Sequence, residues 1–207
     1  MKWPDLLARA RALVDVGDRR ILGITGAPGA GKSTVARRLV DMLGDAAVLV
    51  GMDGYHLAQA ELERLGCTER KGAPDTFDAA GYVALLRRLR VPAAGTVYAP
   101  EFRRAIEEPI AGAVAVPPHV CLVVTEGNYL LLDTAPWSAI RGLLDEVWFL
   151  APDEQTRRAW LTDRHRRYGR TAKQAAERTS ESDERNARLI APTATRADFL
   201  LDPTLLA

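Results

Sequence analysis

The chain has 207 residues, 47% of them apolar and 27% charged, with 28 Lys and Arg against 27 Asp and Glu and a formal net charge of +1. This length and balance fit a globular chain with a substantial core, and a single domain over 1–207 is the expectation. A charge near zero excludes any global attraction to nucleic acid or anionic lipid, so neither partner is expected.

Residues 3–16 predict a short amphipathic helix, with Leu6, Leu7, Ala10, Leu13 and Val14 on one face, packed outside the core sheet. Asp5, Arg9 and Arg11 break the apolar stretch that a signal peptide needs, and no run reaches the roughly 20 apolar residues that span a bilayer. A cytoplasmic chain is therefore expected. The β-branched run ILGIT (21–25) leads into glycines, the pattern of a buried parallel strand feeding a loop. Val35, Leu39, Met42 and Leu43 then mark a helix with one buried face, and 46–52 gives a second strand ending at Asp53. The polar stretch 54–76 carries Gly66, Gly72 and Pro74 and reads as irregular or short-helical chain at the mouth of a site. Tyr82, Leu85, Leu86 and Leu89 restore the helical period over 78–90, with Asp78 as its N-cap.

Five of the twelve prolines fall within 91–118, which reads as loops with room for a short hairpin. VCLVVTEG (120–127) is the clearest buried strand. A helix over 137–144, a strand over 146–151, helices over 154–168 and 171–189 parted at Gly169, and a strand over 197–201 complete the series. Cys67 and Cys121 are far apart and lack metal-ligand spacing, which argues against a disulfide framework or a zinc site. Strands alternating with helices imply an α/β fold: a three-layer sandwich with an open, mostly parallel sheet and helices on both faces.

GAPGAGKS (26–33) satisfies G-x-x-x-x-G-K-[ST], after a predicted strand and at the start of a predicted helix. Gly26, Gly29 and Gly31 can take positive φ, so the backbone N–H groups of Gly26, Ala27, Gly29, Ala30, Gly31, Lys32, Ser33 and Thr34 can turn toward phosphate oxygens at the helix N-terminus. Lys32 supplies a cation for the β and γ oxygens, and the Ser33 hydroxyl can ligate Mg²⁺. ATP and Mg²⁺ are the expected cofactors. A signalling GTPase would need N-K-x-D, which is absent, and the strand end Thr125-Glu126-Gly127 departs from the Asp-Glu of most ABC and helicase-type ATPases. A small kinase remains. Asp53, closing a strand, would point into the crevice beyond the strand ends and orient an acceptor hydroxyl, although an ordinary Asp-Gly turn places an Asp there equally well. Glu126, ending a neighbouring strand, would hold Mg²⁺ through water.

GITGAPGAGKST, DGYH (53–56), RKGAPDTFD (70–78), VYAPEF (97–102), VVTEGNYLL (123–131) and the Arg-rich segment ending YGR (168–170) occur in the order and approximate spacing of a known group. Over roughly 19–202 the chain resembles the uridine kinase, pantothenate kinase and phosphoribulokinase superfamily, within it the bacterial proteins described as fructose-transport-associated kinases. The resemblance implies a P-loop kinase that moves the γ-phosphoryl group to a small-molecule hydroxyl. It implies Asp53 as the catalytic carboxylate and a lid over about 153–170 whose Arg164, Arg167 and Arg170 close on the transferred phosphate. It also implies Tyr55, His56, Lys71, Phe77, Asp78, Phe102 and Arg103 around the acceptor, with Arg103 standing where relatives commonly carry an acid. Nucleoside, pantothenate-like and sugar acceptors all stay open, as does a homodimer. The alternatives are a regulatory ATPase without a dedicated acceptor and, from the arginine cluster alone, an RNA-binding protein, which the net charge disfavours.

Overall fold

The computed structural model describes residues 2–91, 95–167, 171 and 183–206. Its strands are β1 Arg20–Gly26, β2 Ala47–Gly51, β3 Val97–Arg103, β4 Glu108–Val116, β5 Leu122–Glu126, β6 Glu146–Leu150 and β7 Phe199–Leu201. β2-β5-β1-β6-β7 form one all-parallel sheet, while β3 and β4 form a separate antiparallel hairpin. The helices are α1 Trp3–Val14, α2 Lys32–Leu43, α3 Gln59–Arg64, α4 Ala79–Arg90, α5 Glu154–Arg167 and α6 Glu184–Ile190.

Every residue of β5 and β6 is buried, which is why residues 122–124 and 147–150 read as continuous apolar runs without a polar alternation. The period of two survives in the sorting between cores. Ile21, Val123 and Val147 face a core with Tyr82, Leu86 and Leu89 of α4, while Leu22, Ile24, Val124 and Trp148 face a second core with Leu6 and Ala10 of α1 and Val35 and Leu39 of α2. The predicted three-layer α/β sandwich is thus observed, and α1 closes the second core directly on the sheet. Arg9 adds an ion pair to the buried Glu146 and lies over the Phe199 ring.

Two expectations change. The segment 91–118 holds a hairpin of seven- and nine-residue strands, not mainly loops; its proline-rich character is absorbed by a register irregularity between Ala99 and Glu101, where Pro100 has no N–H to give to the ladder. The segment 137–144 forms two 3₁₀ turns, Trp137–Ala139 and Arg141–Leu143, instead of an α-helix. Burial of Trp137 and Ile140 at a spacing of three suits that tighter winding, and the stretch is too short for a cooperative α-helix to be favoured. Of the helix expected over 171–189, the described part is helical from Glu184.

Register positions the site. Glu126 pairs with Ile24 of β1 on one side and Gly51 of β2 on the other. Two residues beyond those partners lie Gly26 and Asp53, so the glycine loop, Glu126 and Asp53 meet at one rim, beyond the carboxyl ends of the strands.

Candidate active site

The loop after β1 requires its glycines. Gly26, Gly29 and Gly31 have φ of 144°, 83° and 86°, and Gly31 is the left-handed N-cap of α2. A Cβ on Gly26 would lie 2.6 Å from the Leu150 carbonyl oxygen, and one on Gly29 would lie 2.8 Å from that of Arg157. Lys32 is 8% exposed and donates from Nζ to the Gly26 and Ala27 carbonyls at 2.9 and 3.0 Å, tying its cation across the loop. Burial pulls the ammonium down to about 8, against the opposing influence of Glu126. The Ala30 N–H closes a turn on Ala27, Ala30 itself is buried, and Thr34 is exposed one turn into α2.

Ser33 Oγ donates to Glu126 Oε1 at 2.9 Å, so the two expected magnesium ligands are neighbours. Burial raises the Glu126 pKa, and the negative charge of Asp53 raises it further. A divalent cation beside these groups would relieve both effects. Among the described residues no cluster of three or more His, Cys, Asp or Glu could hold a metal by itself. The donor set therefore fits Mg²⁺ held by few protein oxygens and completed by phosphate and water.

Asp53 lies in a 3₁₀ turn, Met52–Tyr55, just past β2. Its Oδ2 accepts from Arg104 Nη2 at 3.0 Å, and its Oδ1 stands 4.0 Å from His56 Nδ1. His56 Nδ1 is 2.8 Å from the Asp53 carbonyl, which can only accept, so Nδ1 carries the proton. Burial lowers the His56 pKa, and the neutral ring then presents Nε2 as an acceptor. The ring packs, tilted by 42°, against both Phe77 at 4.0 Å and Phe102 at 4.6 Å. Lys71 reaches the Glu107 carbonyl at 2.7 Å and stands 5.7 Å from the Phe102 ring centre.

These expected acceptor residues are brought together with unequal roles. Phe77 is 7% exposed and belongs to the core beside Tyr129 and Trp137. Tyr55 packs against Tyr82, and its hydroxyl is pushed up to about 12 by burial and by Asp78. The Asp78 carboxylate caps α4, accepting the Gly81 N–H at 2.8 Å. Arg103 is exposed on the outer face of the hairpin, 4.0 Å from Glu101. Its neighbour Arg104, absent from the sequence-based set, reaches the site instead. Carrying the alternation of Val97 and Ala99 forward would turn 101 and 103 inward, but the irregularity at Pro100 shifts the parity to 102 and 104. A proline in the strand was the available signal.

Arg164 is half-buried within reach of this charge cluster: burial and Arg104 lower its pKa, while Asp183, Asp53 and Glu126 oppose the shift. The Arg167 side chain and Arg170 lie outside the described residues. Arg157, at the near end of the same helix, is 3% exposed and bonds Pro28, Glu154 and Glu184.

The Phosphoribulokinase / Uridine kinase family matches residues 21–204. The chain belongs to that family. A Schizosaccharomyces pombe protein named as a uridine kinase is 32% identical over 96% of this chain and 89% of its own length. An Aspergillus versicolor ATP-dependent kinase-like protein is 41% identical over 55% of this chain and 70% of its own. A crystal structure from Silicibacter sp. TM1040, described as a fructose transport system kinase, superposes with a TM-score of 0.84 at 33% identity, covering 95% of this chain and 98% of that one. This member of the phosphoribulokinase and uridine kinase family is an ATP-dependent small-molecule kinase, and ATP use follows from the family. Among the described residues no helix is long and apolar enough to cross a membrane.

Proposed function

We propose that this kinase binds MgATP on the Gly26–Thr34 loop and transfers the γ-phosphoryl group to a hydroxyl that Asp53 orients. The observation that carries the reading is the shared rim: β1 delivers the loop, β5 delivers Glu126 and β2 delivers Asp53, with Arg164 and Arg104 set among them. Ser33 and Glu126 would hold Mg²⁺, which when bound offsets phosphate charge. Lys32 draws the β and γ oxygens toward the loop. Phosphoryl transfer is loose, so Asp53 mainly positions the nucleophile and accepts its proton late. Arg104 holds the Asp53 carboxylate in place. Tyr55, His56, Lys71 and Phe102 form the wall on the acceptor side, and residues 153–170 act as the lid.

The acceptor class is a nucleoside, a pantothenate-like alcohol or a sugar. A coupled ADP-release screen over nucleosides, pantothenate, sugars and vitamin alcohols distinguishes these. Acceptor-dependent ADP release is expected, and it should vanish with a magnesium chelator. Acceptor-independent hydrolysis alone would overturn the kinase reading in favour of a bare ATPase. Asp53→Asn is expected to cut acceptor-dependent turnover by about 10² to 10⁴ with ATP affinity within a few fold of wild type. Loss of ATP binding in step with turnover would instead move Asp53 into the nucleotide or metal site.

A further inference from the structure

The phosphate loop has an outer wall whose Arg157 the proposed chemistry does not use. α5 lies directly against it: a Cβ on Gly29 would meet the Arg157 carbonyl oxygen at 2.8 Å and Leu161 Cβ at 2.9 Å. From that wall the Arg157 guanidinium reaches inward. Nη1 donates to the Pro28 carbonyl at 2.9 Å, Nε to Glu154 Oε2 at 2.9 Å, and Nη2 to Glu154 Oε1 at 2.7 Å and Glu184 Oε2 at 2.9 Å. The Arg157 side chain is 4% exposed and its bond to Pro28 is buried, so water cannot readily replace that bond, while Glu154 is 55% exposed.

The charge arithmetic argues against a phosphate-binding arginine. Arg157 and Arg158 together face the Glu154 and Glu184 carboxylates, so these four groups carry no net charge, and the Nε and Nη2 donors of Arg157 are spent on carboxylate oxygens. Its leverage is geometric. In a planar trans peptide the C=O and the following N–H point in opposite directions, so holding the Pro28 carbonyl outward turns the Gly29 N–H away from α5. At φ 83°, Gly29 has the rotational freedom of a residue without Cβ, and left alone this peptide plane could flip. The Glu154 and Glu184 carboxylates hold the fork that fixes the plane, and Glu184 ties α6 into the same arrangement.

We infer that Arg157 is a positioning residue for nucleotide binding: by anchoring the Pro28 carbonyl from behind the loop, it presets the Gly29 N–H toward the bound phosphates. This rests on the phosphate-loop reading above, since it assigns the loop its ligand. A lysine could keep one donor but could not make the three-way fork.

The test uses the full chain and MgADP as the probe. Arg157→Met keeps the stem and removes the donors, and should weaken MgADP binding about tenfold by calorimetry, the loss expected from one poorly presented donor to a charged oxygen. In the nucleotide-free protein, the Gly29 amide signal in ¹⁵N-glycine spectra should shift or broaden. Arg157→Lys should recover part of the affinity. Glu184→Gln, which leaves the Pro28 bond and the Glu154 half of the fork in place, should lower the melting temperature and weaken MgADP binding clearly less than Arg157→Met does, by about threefold. The inference is overturned if Arg157→Met melts lower yet binds MgADP as wild type does. It is equally overturned if Glu184→Gln loses as much affinity as Arg157→Met, because the effect would then be general loosening of α5. If Arg157→Met does not fold, Arg157→Lys and the Gly29 signal decide: an unchanged affinity and spectrum reject the inference. Failure of wild type to bind MgADP would reject the loop reading itself, while the Gly29 signal still tests the peptide plane.

Discussion

Lys32 carries two opposed pH effects that can be separated. Burial lowers its pKa to about 8 from the ordinary 10.5, so the folded chain holds the proton less well than the unfolded chain. Below about pH 8 the buried charge is a burden on stability, and the burden fades as pH rises toward 10.5. The gap corresponds to about 3 kcal/mol at most. Relative to Lys32→Met, ligand-free wild type should therefore gain stability between pH 8 and 10 in urea titrations. MgATP affinity should move the other way, weakening above pH 8 by up to about tenfold per pH unit, because a neutral amine no longer attracts phosphate. If both quantities stayed flat from pH 7 to 10, Lys32 would not titrate in this window. On the acid side, Glu126 is raised by burial and by Asp53, so the acid limb of kcat/KM should lie above the ordinary carboxylate range near 4.3.

The β3–β4 hairpin and the turn after β2 behave as a pair, because Gly54 lets their backbones touch. A Cβ on Gly54 would overlap the Pro100 carbonyl, with the carbonyl carbon at 2.8 Å and the Glu101 nitrogen at 3.2 Å. Gly54→Ala should therefore push the hairpin off the turn, draw Arg104 away from Asp53 and destabilise the fold by about 1–3 kcal/mol, read from the urea midpoint. Turnover should fall further than stability alone explains. At the neighbouring α4, Asp78→Asn separates two roles. Asn caps a helix about as well as Asp, so stability should change little. Unchanged turnover assigns Asp78 to the cap, and a fall of tenfold or more places it at the acceptor.

Across the molecule, the sheet is stable only when both faces are covered, and α1 supplies part of one cover. Leu6 and Ala10 are fully buried and Leu7 is 8% exposed, beside Leu22, Ile24 and Trp148 in the same core. Removing residues 1–18 should cost on the order of 5 kcal/mol from the two leucines and their exposed partners. Urea unfolding would show it, and a truncated chain as stable as the whole would mean that α1 contributes nothing to the core.

The phosphate loop was legible residue by residue, because its chemistry is backbone chemistry: glycine spacing, Lys32 and Ser33 are fixed by a short stretch of chain between a strand and a helix. The parallel sheet was legible too, since burial on both faces leaves unbroken apolar runs such as 122–124 and 147–150. What depended on contacts distant in sequence was not. Arg104 rather than Arg103 faces Asp53 because of the irregularity at Pro100. Arg157 grips Pro28 from 129 positions away. Both choices turn on which way a side chain points once two segments have docked. Local periodicity carries that information only until a bulge or a tertiary contact resets it.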